Sequence, residues 1–171
     1  HYHTLYDPCC GSGTILIEGA MMAHNIAPGI NRNFECDRWG LIPEGAWVQE
    51  RQRCRDIIKT DTDFVAFGSD VDSHALELTM NNAKRIKVDR FMRLEEKDIK
   101  DFNPTTQRGT LITNPPYGER MLDIRQAESI YRIMGEKFVS RQGWSYGIIS
   151  PDEEFEKVFG RKADKRRKLY N

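Results

Sequence analysis

Leu5-Tyr-Asp-Pro-Cys-Cys-Gly-Ser-Gly-Thr14 is the stretch that decides the fold of this 171-residue chain. A short apolar run ends at Asp7, glycines follow at positions 11 and 13, and a second apolar run begins at Ile15. That order predicts a strand, a tight glycine loop and a helix. Glycines permit positive φ and remove side-chain bulk, so a ligand could approach the loop backbone and the free N–H groups that begin the helix.

Two common nucleotide-binding loops do not match this stretch. The nicotinamide and flavin fingerprint needs a third glycine where Leu16 stands, and an acidic residue about 20 positions on, whereas the next acidic residue to close an apolar strand is Asp70. A P-loop needs Gly-Lys-Ser/Thr after the glycines, which is missing here. The remaining reading is a nucleoside-type ligand with Asp7 facing a cationic group, as in S-adenosylmethionine loops. Taken alone, the loop could also be an ordinary strand-to-helix turn.

A second motif, Ile112-Thr-Asn-Pro-Pro-Tyr-Gly118, has an apolar strand followed by Asn-Pro-Pro-Tyr. With the first motif it resembles amino-methyltransferases, and more closely the bacterial THUMP-type ribosomal RNA guanine-N2 methyltransferases, some of which are labelled predicted N6-adenine-specific DNA methylases. Four stretches carry the resemblance, and together they span nearly the whole chain: Asp7–Glu18, Ile26–Arg32, Gly68–Asp72 and Asn114–Arg120.

The resemblance implies a Rossmann-like class I methyltransferase fold, and alternating apolar strands and helices agree with an α/β chain whose sheet is mostly parallel with helices on both faces. We predict strands near Leu5–Tyr6, Phe64–Gly68, Phe91–Leu94, Thr110–Thr113 and Trp144–Ile149, and helices over Thr14–His24, Glu44–Lys59, His74–Ile86 (capped by Ser73) and Ala127–Phe138. Residues 1–171 are expected to be one catalytic domain. Family members add an upstream RNA-binding THUMP domain and a final antiparallel strand, which we expect this truncated core to lack, with Leu169–Asn171 starting a strand.

Composition limits where the protein could act and which sites it could contain. The chain has 26 basic and 26 acidic residues, giving zero net charge, and 39% apolar residues. No apolar run approaches the roughly 20 residues of a membrane span, and no secretory signal is visible, so we expect a cytoplasmic protein without membrane contact. The four cysteines form no C-x-x-C pair and the four histidines have no metal-like spacing, which predicts reduced thiols and no metal site.

The resemblance also implies the cofactor, S-adenosylmethionine, with S-adenosylhomocysteine as product. Asp7 would hold the methionine ammonium, the backbone from Cys9 to Thr14 would wrap the amino-acid portion, and Asp70 would accept the ribose hydroxyls. Asp98, the Ile99 N–H and, as a second choice, Asp72 would contact the adenine. The full set is Asp7, Pro8, Cys9, Gly11, Ser12, Gly13, Thr14, Asp70, Val71, Asp72, Asp98, Ile99 and Asn114. Any single Asp after a strand is more often a turn or cap residue, and that alternative stays open.

The predicted catalytic residues are Asn114, Pro115, Pro116 and Tyr117. An exocyclic amine is a poor nucleophile because its lone pair is delocalised into the ring. The Asn114 side-chain oxygen and the Pro115 carbonyl would accept both amine hydrogens, which favours a pyramidal nitrogen. The two prolines stiffen this backbone. Tyr117 would stack on the base, which must leave any helix to reach the pocket. The alternative is a plain turn motif.

The substrate follows from the resemblance less directly. Ribosomal RNA of the large subunit is the expected partner, with Glu119 accepting from guanine N1–H and Arg120 holding a phosphate or bracing the loop. Zero net charge predicts that most of the contacts that bind RNA lie outside these 171 residues. Loop 25–43 would either contact base and cofactor or be pinned down by Phe34 and Trp39, and the basic run 161–168 is either a solvated tail or a phosphate contact.

Alternative functions remain open at this stage. DNA adenine-N6 methylation and protein glutamine methylation would use the same Asn-Pro-Pro-Tyr loop. A catalytically silent cofactor-binding scaffold is a further possibility, against which the intact Asn114 and Tyr117 argue. The sequence predicts no oligomeric state.

Overall fold

A five-stranded parallel sheet is the framework of the computed structural model, which describes residues 3–43, 45–117 and 121–169. The strands lie in the order β3-β2-β1-β4-β5 and are β1 (Thr4–Asp7), β2 (Val65–Asp70), β3 (Met92–Glu96), β4 (Gly109–Thr113) and β5 (Trp144–Ile148). Strand order reverses between β1 and β4, and open α/β sheets bind ligands at the carboxyl side of such a switch point. The predicted parallel α/β architecture is confirmed.

The helices connect these strands with small differences from the predicted bounds. They are α1 (Thr14–Ala23), α2 (Ala46–Asp56), α3 (Ser73–Ile86), α4 (Met121–Lys137) and α5 (Phe155–Phe159). Helix α4 begins well before the predicted Ala127, and α5 was not predicted. Strands β2 and β3 each begin one residue later than predicted and extend two residues further.

Leu5 and Tyr6 belong to two separate cores because successive strand residues point to opposite faces of a sheet. Leu5 packs with Leu16 and Ala66 on the face covered by α1 and α3. Tyr6 packs with Leu111 and, on α4, with Tyr131, Met134 and neighbouring buried residues. Leu16 and Leu111 are completely buried, which stabilises the fold by about 1.5–3 kcal/mol for each side chain. Helices therefore cover both faces, as predicted.

Loop 25–43 joins the domain at the amino edge of the sheet, away from the glycine loop. The buried His24, just after α1, stacks on Phe91 and meets Phe64 edge-on, and those two residues directly precede β3 and β2. The His24 carbonyl also accepts from Lys59 N (2.8 Å) where the chain returns. The edge at which the loop is anchored disfavours a role in covering the cofactor.

The predicted pinning of this loop by its aromatic side chains is also wrong. Phe34 packs on Gly29 and lies 5.8 Å from the Arg32 guanidinium, both within the same loop. Trp39 is 57% exposed. The loop is held instead by polar contacts to α2, where Arg51 pairs with Asp37 at 2.6 Å and keeps the pKa of that carboxyl below its usual range. Arg51 thus joins α2 to the loop.

The basic run near the end of the chain is partly structural. Arg161 donates to the Phe138 carbonyl at the end of α4 and lies 5.1 Å from the Phe159 ring. Arg166 pairs with Glu156, whose pKa is lowered to about 2 by that contact. These two arginines hold the segment against α4 and α5, so neither is a free phosphate ligand in this conformation. Leu169 is not in a strand, and the rest of the predicted strand start lies outside the described residues.

All four cysteines are free thiols. Within the described ranges, no group of three or more His, Cys, Asp or Glu side chains is placed to hold a metal ion. None of the helices in this part of the chain combines the length and apolar character needed to cross a membrane.

Gly135 permits the close approach of α4 and α5, and Gly135→Ala is expected to destabilise the protein by about 1–3 kcal/mol through overpacking. A Cβ at this position would collide with the Phe159 carbonyl oxygen, which is backbone and moves only with α5. The melting temperature, measured by calorimetry, should fall by several degrees. Gly40→Ala is the matched control, because a Cβ there meets open space. Equal melting temperatures for both variants would contradict this packing.

Candidate functional site

The glycine loop is fixed from outside by β2 and α3. Its Gly11 N–H donates to Asp70 Oδ2 at 2.9 Å, and the Gly11 carbonyl accepts from the buried Thr79 hydroxyl at 2.7 Å. Asn82 donates its amide to the Ser12 carbonyl at 3.1 Å. Gly11 has a φ of 52°, and the space a Cβ would occupy is open. The loop backbone is therefore held rigidly and left accessible on one side.

The start of α1 continues this surface. Gly13, the residue before the helix, has a φ of 82° and a Cβ there would collide with the Thr79 side chain, so glycine is required twice over. No side chain caps the helix. Its first N–H groups are consequently free to bind an anionic group such as a carboxylate.

Asp7 is the most buried carboxylate at this edge, with 2% of its surface exposed. Its Oδ1 accepts from the Thr113 hydroxyl at 2.7 Å and from Cys9 N at 3.2 Å. Desolvation raises the pKa of Asp7 from 3.8 to about 6, against the opposing effect of these two hydrogen bonds, while nearby Asp70 raises it further. A carboxylate whose ionised form costs free energy to bury, at the edge where such sheets bind ligands, is typical of a functional residue.

The two cysteines of the loop are unsuited to nucleophilic chemistry. Burial, together with the charges of Asp7 and Asp70, raises the pKa of both Cys9 and Cys10 to about 12. A thiol attacks as its thiolate, which is then scarce at neutral pH. We conclude that these residues contribute backbone and packing rather than covalent catalysis.

The carboxylates at the ends of β2 and β3 that are predicted to bind the cofactor all lie at the carboxyl edge of the sheet. Each of them already accepts a hydrogen bond from a backbone N–H group. Asp70 accepts from Asp72 N (3.1 Å) as well as from the glycine loop. Asp72, not the predicted Ser73, caps α3, because its carboxylate accepts from His74 N at 2.9 Å. Asp98 accepts from Lys100 N, which lowers its pKa. Carboxylate oxygens have about four acceptor sites, so a ligand hydroxyl could still bind each one.

The remaining predicted cofactor residues differ in accessibility. Pro8 and Ile99 are buried, and Ile99 packs in the core on the α4 side, so only the Ile99 backbone could face a ligand. Ser12, Thr14 and Val71 are exposed at the same edge of the sheet. This arrangement fits backbone contacts from the loop and apolar contact from Val71.

The Asn-Pro-Pro-Tyr segment follows β4 directly and joins the same edge. Asn114 and Pro116 are exposed, Pro115 is buried, and Tyr117 is 41% exposed. A buried first proline anchors the segment while Asn114 and the Tyr117 ring remain available to a substrate. The two predicted substrate residues, Glu119 and Arg120, lie outside the described residues.

An open cavity of about 540 Å³ lies beside Asp7, on the sheet face opposite α1 and α3. Its walls combine aromatic rings and charged side chains, among them Phe67, Phe102, Arg93 and Lys97. The volume falls within the usual range for small-molecule sites. Asp7 therefore borders both the glycine loop and an accessible space.

Sequence reasoning missed three residues that build this site: Thr79, Asn82 and Thr113. The first two belong to α3, and no local pattern indicates that a helix side chain supports a loop some 70 residues earlier. Thr113 stands directly before Asn114, and the alternation of β4 could have indicated its inward direction. Each is a polar side chain whose partner comes from a distant part of the chain.

Comparison with known proteins places this geometry among methyltransferases. A family model described as "RMKL-like, methyltransferase domain" matches residues 2–171. The chain is 36% identical over 165 residues to "Putative RNA methyltransferase YpsC" of Bacillus subtilis, covering 96% of the chain and 43% of that relative. It is 37% identical over 173 residues to the ribosomal RNA large subunit methyltransferase K/L of Shewanella amazonensis, covering 98% of the chain and 24% of that relative. The chain thus spans less than half of either protein.

Solved structures of similar proteins share the fold of this chain. "SMU.472, a putative methyltransferase complexed with SAH" superimposes with a TM-score of 0.91 at 39% identity, covering 100% of this chain and 46% of that one. "A predicted N6-adenine-specific DNA methylase from Listeria monocytogenes" gives a TM-score of 0.91 at 37% identity, covering 98% and 44% respectively. At such identity and coverage the likeness extends through the whole described sheet and its helices.

Asp7→Asn is expected to stabilise the ligand-free protein at pH 7 to 8. Raising the pKa of this carboxyl from 3.8 to about 6 costs the folded state about 3 kcal/mol above pH 6. The cost disappears below about pH 4, where the carboxyl is protonated in both the folded and the unfolded state. The stability gained by the Asn substitution should therefore shrink between pH 6 and pH 4. The Asn oxygen still accepts from Thr113 and Cys9. Melting temperatures across pH 4–8 measure the effect.

Asp98→Asn serves as the control for this measurement. Its pKa is lowered in the folded protein, so neutralisation should destabilise at pH 7 instead. A lower melting temperature for Asp7→Asn at pH 7 would contradict the burial argument.

Proposed function

The chain belongs to the family of RMKL-like methyltransferase domains, as the sequence resemblance predicted, and from this membership we propose that it transfers a methyl group from S-adenosylmethionine to an exocyclic amine of RNA. The observation that carries the proposal is the meeting of two loops at the switch point. The glycine loop and the Asn-Pro-Pro-Tyr segment are joined there through Asp7 and Thr113. The glycine loop suits a cofactor, and the Asn-Pro-Pro-Tyr segment suits the amine that would accept the methyl group.

The residues at the first loop fit S-adenosylmethionine. The uncapped α1 N-terminus suits the carboxylate of its methionine portion, and ionised Asp7 suits the ammonium. Asp70 would accept from the ribose hydroxyls. The similar protein that was crystallised with S-adenosylhomocysteine supports this cofactor. When bound, the cofactor supplies an electrophilic methyl group on a sulfonium.

The second loop prepares the acceptor amine. Asn114 and the Pro115 carbonyl would accept the two amine hydrogens, which directs the nitrogen lone pair outward from the ring plane. The exposed Tyr117 ring is available for stacking on the base. This positioning needs no general base before transfer, because the methylated nitrogen loses its proton readily afterwards. Catalysis here consists mainly of holding two groups in line.

Guanine N2 of large-subunit ribosomal RNA is the proposed target. The names of the Bacillus and Shewanella relatives support RNA, and the second of them supports the large ribosomal subunit. The chain carries as many acidic as basic residues, and Arg161 and Arg166 of its basic run are engaged within the fold. Strong binding of phosphates usually needs an excess of available basic side chains. We therefore propose that binding of RNA depends largely on further parts of the protein, in a cytoplasmic setting.

Adenine N6 of DNA is the second candidate. It is favoured by the Listeria protein, whose name describes a predicted N6-adenine-specific DNA methylase and whose fold superimposes closely. Adenine N6 and guanine N2 are both exocyclic amines with delocalised lone pairs, so the Asn114 loop would treat them alike. The two bases differ at ring position 1, where guanine carries the N–H from which Glu119 is expected to accept a hydrogen bond.

Nucleoside mass spectrometry distinguishes these candidates. RNA and DNA are compared from cells with and without the gene. Loss of N2-methylguanine from ribosomal RNA is the expected result. Loss of N6-methyladenine from DNA with unchanged RNA would mean that the second candidate is correct.

Asn114→Ala in the full-length protein should abolish most turnover while the affinity for S-adenosylhomocysteine stays near that of the wild type. The Asn114 side chain is exposed and makes no hydrogen bond to the other described residues, so its loss is expected to remove the orientation of the amine alone. Turnover is measured by radiolabel transfer and affinity by calorimetry. Turnover within a few-fold of wild type would rule out the orienting role.

Asp70→Ala should weaken S-adenosylhomocysteine binding by about 1.5–3 kcal/mol, the contribution of hydrogen bonds to a charged acceptor. The substitution removes both the proposed ribose contact and the anchor of Gly11 N. The affinities for S-adenosylhomocysteine and for NAD are measured by calorimetry. Unchanged affinity, or tight binding of NAD by the wild type, would contradict the assignment of the loop.

A further inference from the structure

The pairing of β1 with β4 ends just before the point where the two loops meet. The β1–β4 ladder pairs Leu5 with Thr110 and Tyr6 with Leu111. Strand β4 stays paired with β5 as far as Thr113 opposite Ile148. Beyond Leu111 no further residue of β4 is paired with β1 in the described part of the sheet, so a side-chain contact between the ends of these two strands adds to what holds them together.

A side-chain hydrogen bond joins the carboxyl ends of β1 and β4. The Thr113 hydroxyl donates to Asp7 Oδ1 at 2.7 Å, between residues 106 positions apart in the chain. Thr113 is completely buried and Asp7 nearly so, which shields the bond from water. The same oxygen accepts from Cys9 N at the start of the glycine loop. The Thr113 carbonyl accepts from Ile149 N at 3.0 Å, so the donor itself is held from the β5 side.

We propose that Thr113 is a positioning residue that sets the distance between the cofactor loop and the amine-binding loop. It precedes Asn114 directly, and its partner Asp7 precedes the glycine loop directly. The inference rests on the proposed function, because it concerns the alignment of the methyl donor with the acceptor amine. Misplacement of reacting groups by about 1 Å can reduce turnover by about a hundredfold.

A second role follows from the same contact. Burial has the largest effect on the pKa of Asp7, and the Thr113 hydrogen bond, which favours the ionised form, opposes it; the pKa stands at about 6 with this hydrogen bond in place. The other titratable groups near Asp7 are Asp70, the two thiols of Cys9 and Cys10, and the cavity residues Arg93, Glu95 and Lys97. Both thiols remain neutral below pH 8, since their pKa stands at about 12.

The pH dependence of cofactor affinity therefore reports on Thr113. Ionised Asp7 is the form that binds an ammonium, so affinity should be high above pH 7 and fall as pH drops through about 6. Without the Thr113 hydrogen bond the Asp7 pKa rises, and the midpoint moves toward neutral pH. A residue that served only to fill the core would not move this midpoint.

Thr113→Val and Thr113→Ser in the full-length protein test the proposal. Valine keeps the shape and removes the hydroxyl, whereas serine keeps the hydroxyl and removes a methyl group. S-adenosylhomocysteine affinity is measured by calorimetry from pH 5 to 8, and turnover under saturating cofactor by radiolabel transfer. Valine should lower turnover about ten- to a hundredfold and raise the pH midpoint, and serine should restore both toward wild type.

Folding is checked by the melting temperature of each variant. If Thr113→Val does not fold, Thr113→Ala replaces it, because it removes the same hydroxyl without placing a methyl group against the carboxylate. Turnover within twofold of wild type together with an unchanged pH midpoint would overturn the proposal. So would a serine variant as impaired as the valine variant, because the hydroxyl would then not be the active feature.

The same measurements separate this inference from the proposed function. If wild-type protein binds S-adenosylhomocysteine but transfers no methyl group to RNA or DNA, the proposed function fails while the shift of the pH midpoint still tests the Thr113 contact. If transfer occurs and the valine variant matches wild type, the proposed function stands and the positioning role fails.

Discussion

The buried carboxylate of Asp7 is the constraint on which the site depends. Placing it at the sheet's switch point removes it from water, which the hydrogen bonds from Thr113 and Cys9 offset only in part, as its raised pKa records. A protein without a use for a negative charge there would be more stable with a neutral side chain. The retained cost supports the proposed binding of the positively charged part of a ligand at this edge of the sheet.

The rest of the site holds fixed what surrounds that charge. Asp70, Thr79 and Asn82 fix three backbone groups of the glycine loop, and glycine at 13 lets α3 approach closely enough to do so. The groups left exposed are those to which the proposed function assigns a role: the open side of Gly11, the α1 N-terminus and Asn114. Catalysis by positioning requires this division, because a loop that must reorganise during the reaction loses the advantage of pre-alignment.

Local pattern was enough to predict the strands, most helices and the edge where the ligand residues gather, since alternation and glycine spacing are properties of neighbouring residues. It failed where the deciding contact is distant. Helix α5, which was not predicted, packs on α4 through Gly135. Likewise, the support of the loop by Thr79 and the pairing of Thr113 with Asp7 join residues 68 and 106 positions apart. The cap of α3 is the local exception, since Asp72 rather than Ser73 accepts from His74 N. The composition of loop 25–43 suggested a ligand contact, whereas its anchoring at the opposite edge argues otherwise.

Radiolabel transfer is the most direct test of the claim that the two loops form one N-methyltransferase site. Purified full-length protein is incubated with tritium-labelled S-adenosylmethionine and, in separate reactions, with unmodified ribosomal RNA, genomic DNA and total protein. The account predicts label in RNA, recovered after digestion as N2-methylguanine. Label confined to protein, or the absence of transfer to any nucleic acid while the cofactor still binds, would contradict it.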